Sequence, residues 1–176
     1  MRISKKLFPL LSIPLLVLSV YLITRLVPPF LEELSPAETE GEKTVAPDFR
    51  LQDLGGKEIA LADFKSRKVI LNFWTSWNRI SLDQVDVLQG YYKSVSGENI
   101  AILAINSQED APTIKAALKG KEFDLPVLMD EGGEVGELYD IGTLPLTIFI
   151  NEAGFIVNKS LGPMNFEKIN SLVNKL

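Results

Sequence analysis

The sequence predicts an α/β fold, a mixed sheet flanked by helices, preceded by one membrane-spanning helix. From residue 45 to the C-terminus, short apolar runs with strand character alternate with segments of helical spacing. Before them, the eighteen residues from Leu7 to Thr24 carry no charge. The chain has 176 residues, enough for one domain of this class and the segment that precedes it.

The chain contains neither cysteine nor histidine, which excludes several kinds of site. Without cysteine it can form no disulfide and offers no thiolate nucleophile. The usual zinc sites and the catalytic arrangements built on histidine are excluded as well. We therefore predict no cofactor and no metal, since any bound metal would have to be a hard cation held by oxygen ligands.

The net charge of −5 is divided unevenly along the chain. Residues 1–27 hold four basic and no acidic side chains, whereas residues 28–176 hold 14 basic and 23 acidic ones. Such an acidic region is not suited to nucleic acid and would be repelled by an anionic membrane surface. Contact with the membrane must therefore come from the N-terminal segment.

Residues 7–27 are predicted to be a transmembrane signal-anchor helix. Its uncharged run would extend roughly 27 Å as a helix, against a hydrocarbon core about 30 Å thick. Residues 1–6 are basic, so the positive-inside rule keeps that end in the cytoplasm and places the rest outside the cell membrane. The competing interpretation is a cleaved signal peptide, but no small-x-small cleavage site follows the run.

Residues 28–44 are predicted to be a stalk. The segment contains three prolines and five glutamates. Proline stiffens such a segment and like charges extend it. The folded domain is then expected to occupy residues 45–176.

The first half of that domain is predicted to form a hairpin and a βαβ unit. Phe49–Gln52 and Glu58–Leu61 alternate like strands on either side of a Gly-Gly turn. Val69–Trp74 and Ile100–Ile105 are nearly continuous apolar runs, as expected of strands covered on both faces. Between these two strands a helix is predicted from the spacing of its apolar side chains: Val85, Leu88, Tyr92 and Val95, with Tyr91 beside them.

The second half is predicted to contain a helix, a short helix, two strands and a last helix. Pro112 fits the first turn of the first helix, and Asn165 fits the N-cap of the last one, whose inward residues include Phe166. The run Val127–Met129 is short, and we count only a central parallel pair of strands with an antiparallel hairpin added. An acidic run is predicted to be a solvated face rather than a calcium site: Asp130, Glu131, Glu134, Glu137 and Asp140.

Four motifs in this order carry a resemblance to a known family: Ala46-Pro-Asp-Phe49, Asp53-Leu-Gly-Gly-Lys57, Asn72-Phe-Trp74 and Thr143-Leu-Pro145. The domain resembles the membrane-anchored, thioredoxin-like thiol–disulfide oxidoreductases of the TlpA/ResA type, which are kin of the redoxins. The resemblance implies a thioredoxin-like fold with an N-terminal β-hairpin extension, behind a membrane anchor.

The residues that perform the chemistry of that family are replaced in this chain. The family carries Trp-Cys-x-x-Cys where this sequence has Trp77-Asn-Arg-Ile-Ser81, so the two cysteine positions are Asn78 and Ser81. An amide and a hydroxyl cannot replace a thiolate. The acidic position of some members corresponds to Gln84, which exchanges no proton. The resemblance therefore implies a redox site without catalytic residues.

The same segment contains two candidate helix caps. Asn78 is a favourable N-cap residue, whereas Ser81-x-x-Gln84 fits the capping box one turn later. The register of the family favours Asn78. In one interpretation these residues only hold the helix end, and in the other this end still presents a binding face.

Pro145 is the second element that the resemblance assigns. In the thioredoxin fold the matching proline is cis and faces the active-site helix, so Thr143 and Leu144 would offer backbone groups to an extended partner segment. Alternatively, the proline serves folding alone. The predicted binding surface consists of Trp77, Asn78, Arg79, Ser81, Thr143, Leu144 and Pro145.

Three functions follow from these observations. The first is a redox-inactive protein that binds a partner, as an accessory subunit or as a helper in extracytoplasmic assembly such as the cytochrome c maturation in which the family works. The second is the thiol–disulfide oxidoreductase activity that ancestry implies. The third is a purely structural role. An exposed Trp77 favours recognition of a partner, whereas a buried one favours a structural role.

Overall fold

The computed structural model describes residues 44–121 and 123–176. The predicted cytoplasmic end, the transmembrane helix and the stalk up to residue 43 lie outside the described residues. In the part of the chain that is described, no helix has the length and apolar character needed to cross a membrane.

The described residues form strands and helices in alternation. The strands are β1 (Arg50–Asp53), β2 (Glu58–Ala60), β3 (Lys68–Trp74), β4 (Ile100–Ser107), β5 (Val127–Asp130), β6 (Leu146–Ile150) and β7 (Ile156–Leu161). The α-helices are α1 (Arg79–Ser94), α2 (Ala111–Ala117), α3 (Glu134–Leu138) and α4 (Phe166–Val173), and one 3₁₀ turn covers Leu61–Phe64.

All seven of these strands belong to one mixed sheet, in the order β2-β1-β5-β4-β3-β6-β7. Strands β3, β4 and β5 are parallel, and the hairpins β1–β2 and β6–β7 add antiparallel strands at the two edges. This is the mixed sheet with an N-terminal hairpin that the resemblance implies.

The prediction of a central parallel pair was wrong, because β5 makes a third parallel strand. Ala104 of β4 lies opposite Val127, and Met129 of β5 lies opposite Gln52 of the first hairpin. A run of four residues shows too little periodicity to be identified as a strand. Its place is fixed by pairing with the two neighbouring strands, and β5 thereby joins the N-terminal hairpin to the centre of the sheet.

Side chains of the central strands alternate between two apolar layers. Ile70 and Trp74 of β3 contact the layer that includes side chains of α1, α2 and α4. Val69, Leu71 and Phe73 contact the opposite layer, which includes side chains of α3 and of the N-terminal hairpin. The sheet is thus covered on both faces, as its continuous apolar strands require.

The ends of the helices follow the predicted caps. Asn165 caps α4, its Oδ1 accepting from the backbone N–H of Lys168 at 2.9 Å, and Pro112 lies in the first turn of α2.

Two aromatic side chains differ in burial from the prediction. The buried aromatic residue of α1 is Tyr91 rather than Tyr92. Phe166 is 46% exposed and packs edge-on against Tyr91, with 4.9 Å between ring centroids, rather than lying in the core.

The predicted solvated face is wrong for its first member, Asp130. Its carboxylate is fully buried and accepts from the backbone N–H groups of Val135 at 3.2 Å and Gly136 at 2.8 Å. The N-cap of α3 is Gly133, which has no side chain, so Asp130 satisfies the free N–H groups of the helix instead. This contact ties the end of β5 to α3. The other acidic residues of the run are exposed.

Tyr139, directly after α3, anchors that helix to the N-terminal segment. Its hydroxyl donates to the carbonyl of Pro47 at 2.6 Å, and its ring lies 5.6 Å from that of Phe73. Burial and the nearby charge of Asp48 raise the pKa of the Tyr139 phenol. The hydroxyl therefore stays protonated and remains a donor throughout the physiological pH range.

Candidate functional site

The predicted site lies at the carboxyl ends of the parallel strands, where β3 leads into α1. Asn78 is the N-cap of α1, and its Oδ1 accepts from the backbone N–H groups of Ile80 at 3.0 Å and Ser81 at 3.3 Å. The choice of Asn78 over the capping box at Ser81 is therefore confirmed. One side-chain oxygen satisfies two of the N–H groups that every helix start leaves free.

The other end of the Asn78 amide reaches the proline loop. Its Nδ2 donates to the backbone carbonyl of Leu144 at 3.2 Å, and the Leu144–Pro145 peptide is cis, as expected. The carbonyl of Pro145 in turn accepts from the N–H of Gly162 at 2.9 Å. One amide thus connects the start of α1 to the cis-proline loop, where the family has a thiol.

The side chains on the inner side of the first turn of α1 are polar, but they are buried from solvent. Ser81 is fully buried, so it lies beneath the predicted binding surface rather than on it. Gln84 is also buried, and its Oε1 accepts from the backbone N–H of Met164. Ser81 Oγ and Gln84 Nε2 have no hydrogen-bond partner among the described residues. Neither position offers an ionisable group.

A carboxylate that the sequence analysis did not single out holds the loop before α1. Glu109, just after β4, accepts from the backbone N–H of Ser76 at 2.6 Å, from the Ser76 hydroxyl, and from the Asn106 side chain at 2.7 Å. The polar run that follows the buried strand Ile100–Ile105 was a signal for it. Glu109 therefore fixes the position from which Trp77 projects.

Trp77 is the most exposed large apolar side chain near the site, at 75%. Ile80 in the first turn of α1 is 52% exposed, and Leu144 is half-buried. Arg79 is exposed and forms an ion pair with Asp83, Nε to Oδ1 2.9 Å. An exposed indole ring beside a loop favours recognition over a purely structural role.

Beside Trp77 lies a groove of about 660 Å³ between the start of α1, the cis-proline loop and α3. Its lining includes Trp77, Asn78, Thr143 and Leu144 of the predicted surface, together with Gln108, Glu137 and Asp140. Pro145 of the predicted surface is buried and does not belong to this lining. A second cavity of about 490 Å³, at the opposite end of the sheet, contains none of the predicted site residues.

The loop along the groove has free backbone donors. Among the described residues, the N–H groups of Thr143 and Leu144 have no hydrogen-bond partner, and Thr143 is exposed. The carbonyl of Leu144 is engaged by Asn78. The loop therefore offers two N–H groups to an extended segment, while Asn78 already occupies one of its acceptors.

The site contains no group that could carry the family's electron transfer. Positions 78, 81 and 84 hold an amide, a hydroxyl and an amide, and the whole sequence lacks cysteine. Across residues 44–121 and 123–176, no three acidic side chains come together in a way that could hold a metal ion. What the arrangement retains is a shaped groove, an exposed indole and unpaired backbone donors.

The AhpC/TSA family pattern matches residues 43–159 of the chain. The chain is 31% identical to the thiol-disulfide oxidoreductase ResA of Bacillus subtilis over 137 residues, which is 78% of this chain and 76% of ResA.

Solved structures give the same result. StoA from Bacillus subtilis superposes with a TM-score of 0.65 at 25% identity, covering 73% of this chain and 98% of StoA. The exposed lipoprotein thioredoxin Etrx1 of Streptococcus pneumoniae superposes with a TM-score of 0.67 at 30% identity, covering 74% of this chain and all of that one. The thioredoxin-like fold is thus shown.

Replacing Asn78 tests the double role of its amide. Asn78→Ala should lower the free energy of unfolding by about 2 kcal/mol, since it removes a helix cap worth about 1 and a hydrogen bond worth about 1. Asn165→Ala is the matched control, because Asn165 only caps a helix, and it should cost about 1 kcal/mol. The measurement is chemical unfolding of the full-length protein, followed by circular dichroism.

Asn78→Asp separates the two contributions, because it keeps the capping oxygen and loses the donor to Leu144. It should cost about 1 kcal/mol or more. Equal costs for Asn78→Ala and Asn165→Ala, with no loss in Asn78→Asp, would show that the contact with Leu144 adds nothing.

Proposed function

The chain belongs to the AhpC/TSA family and, within it, to the ResA-like thioredoxins, and on this premise we propose that it is a redox-inactive protein that binds a partner. The partner is another extracytoplasmic protein, which docks at the groove beside Trp77. The chain then acts as an accessory subunit of a membrane complex or as a helper in protein assembly, of which cytochrome c maturation is one example.

A single contrast carries this proposal: the binding geometry of the family is present and its nucleophiles are absent. The cis-proline loop lies against the start of α1, joined by the Asn78–Leu144 hydrogen bond. Disulfide exchange needs a thiolate that attacks and a second thiol that resolves the mixed disulfide. A chain without cysteine cannot supply either, so the ancestral oxidoreductase reaction is not available to it.

Recognition uses the backbone of the proline loop and the ring of Trp77. The N–H groups of Thr143 and Leu144 have no partner among the described residues, and each can donate to a carbonyl of an extended segment. Tryptophan is among the residues that most often dominate the energy of an interface, because a flat ring buries a large area at little entropic cost.

The domain acts outside the cytoplasmic membrane, held there by residues 7–27. The basic residues 1–6 favour this orientation. Etrx1, one of the similar structures, is itself described as an exposed lipoprotein. A lipid anchor of that type needs a cysteine, so in this chain an uncleaved helix takes its place.

The proposed function makes one prediction about capture of the partner. Tagged full-length protein, extracted from its native membranes in a mild detergent, should retain a stoichiometric partner, and Trp77→Ala should reduce the recovery at least about tenfold. Val157→Ala is the matched control, since Val157 is also an exposed apolar residue but lies on β7, outside the groove. Recovery of no partner, or equal recovery in all three proteins, would contradict the proposal.

The second prediction concerns redox chemistry. With the purified protein present, dithiothreitol should reduce insulin no faster than dithiothreitol does alone. The double variant Asn78→Cys/Ser81→Cys should gain measurable activity, because the start of α1 stabilises a thiolate at the first of these positions. This variant is the positive control for the assay. Activity of the unaltered protein above the rate with dithiothreitol alone would instead support the oxidoreductase function.

A further inference from the structure

We infer that the groove selects a positively charged extended segment, one that presents lysine or arginine at alternate positions. The inference rests on the proposed function and specifies the chemistry of the partner. Three independent features of the groove lead to it: its unpaired carboxylates, the exposed ring of Trp77, and the free backbone donors of the proline loop.

The carboxylates line one wall of the groove and are available. Glu137, in the last turn of α3, and Asp140, just after it, are both exposed and line the cavity. Neither forms an ion pair with any of the described residues. The third lining carboxylate, Asp130, is buried and is occupied by its bonds to α3. Among the described residues that form the lining, there is no lysine or arginine to oppose Glu137 and Asp140.

Trp77 provides the other half of a cation site. An ammonium or guanidinium group is attracted to the face of an indole ring, which also covers the aliphatic stem of the side chain. Trp77 shares the lining of the groove with Glu137 and Asp140. A lysine or arginine that enters the groove therefore meets an aromatic surface and two free carboxylates.

The backbone donors determine the form of the ligand. An extended segment that accepts a hydrogen bond from the N–H of Thr143 or of Leu144 directs every second side chain toward the same side. Alternating basic residues thus face the acidic wall together. A compact cation would contact the carboxylates but would leave the backbone donors unpaired. A polypeptide segment can form hydrogen bonds with the backbone donors as well as ion pairs with the carboxylates.

Two basic side chains, Arg79 and Lys159, are engaged in contacts outside the lining of the groove. Arg79 is paired with Asp83 at 2.9 Å. Lys159 donates from Nζ to the carbonyl of Tyr139 at 3.0 Å. Neither residue belongs to the lining of the groove. The rest of the domain is also acidic overall, so a test must separate attraction to the groove from attraction to the whole surface.

The experiment measures the binding of three labelled hexapeptides to the full-length protein in a neutral detergent. The first alternates lysine with threonine, and the other two replace lysine by glutamine or glutamate. The groove variant is Glu137→Gln/Asp140→Asn. Asparagine is chosen because Asp140 has a φ of +56°, a conformation that asparagine tolerates. The matched control is Glu98→Gln/Glu167→Gln, which removes the same charge from exposed positions outside the groove.

The lysine peptide should bind the unaltered protein and the control variant at least about tenfold more tightly than the glutamate peptide, with the glutamine peptide between them. The groove variant should lose about tenfold in affinity for the lysine peptide, and this difference should shrink as salt is added.

Three results would overturn the inference. Equal affinity for all three peptides would show that the groove binds a segment without selecting charge, which leaves the proposed function standing. Equal losses in the groove and control variants would show attraction to the acidic surface at large. Binding of none of the peptides would also refute the inference, and the capture experiment with Trp77→Ala would then decide the proposed function separately.

Discussion

The hydrogen bonds of one amide, that of Asn78, join the start of α1 to the cis-proline loop at the candidate site. Its oxygen accepts from two N–H groups at the start of α1, and its nitrogen donates to the carbonyl before the cis proline. A thiol at this position would be free to react, whereas an amide with both ends engaged is a structural link. Where the family carries a cysteine, this chain therefore carries a residue that links the helix to the proline loop.

Two carboxylates, those of Glu109 and Asp130, stabilise the segments on either side of the groove. Glu109 holds the loop that carries Trp77, and Asp130 holds the start of α3 on the other side of the groove. Each of these two carboxylates accepts hydrogen bonds from groups within the domain. The carboxylates of Glu137 and Asp140 have no such bonds within the part of the chain that is described, and they line a cavity that Trp77 also lines. The candidate site thus combines a hydrogen-bonded support with a polar and aromatic lining, and this combination supports the proposed binding role.

Much of the fold could be predicted from local sequence, because apolar runs and helix caps act over a few residues. The strands around Val69–Trp74 and the cap at Asn78 are examples. Features that depend on distant pairing were missed. Strand β5 is defined by its neighbours, and the Asn78–Leu144 bond joins residues 66 positions apart. Asp130 sits in an acidic run whose composition indicates solvent exposure, and only the packing of α3 on β5 buries it.

Hydrogen exchange at the amides of Thr143 and Leu144 tests the central claim most directly. Both amides are without partners in the described structure, so they should exchange rapidly in the free protein. When the captured partner is bound, exchange should slow at least about tenfold at one or both of these amides, since the claim is that a partner segment pairs with this backbone. Unchanged exchange at both amides in a complex that is demonstrably intact would contradict it and place the interface elsewhere on the domain.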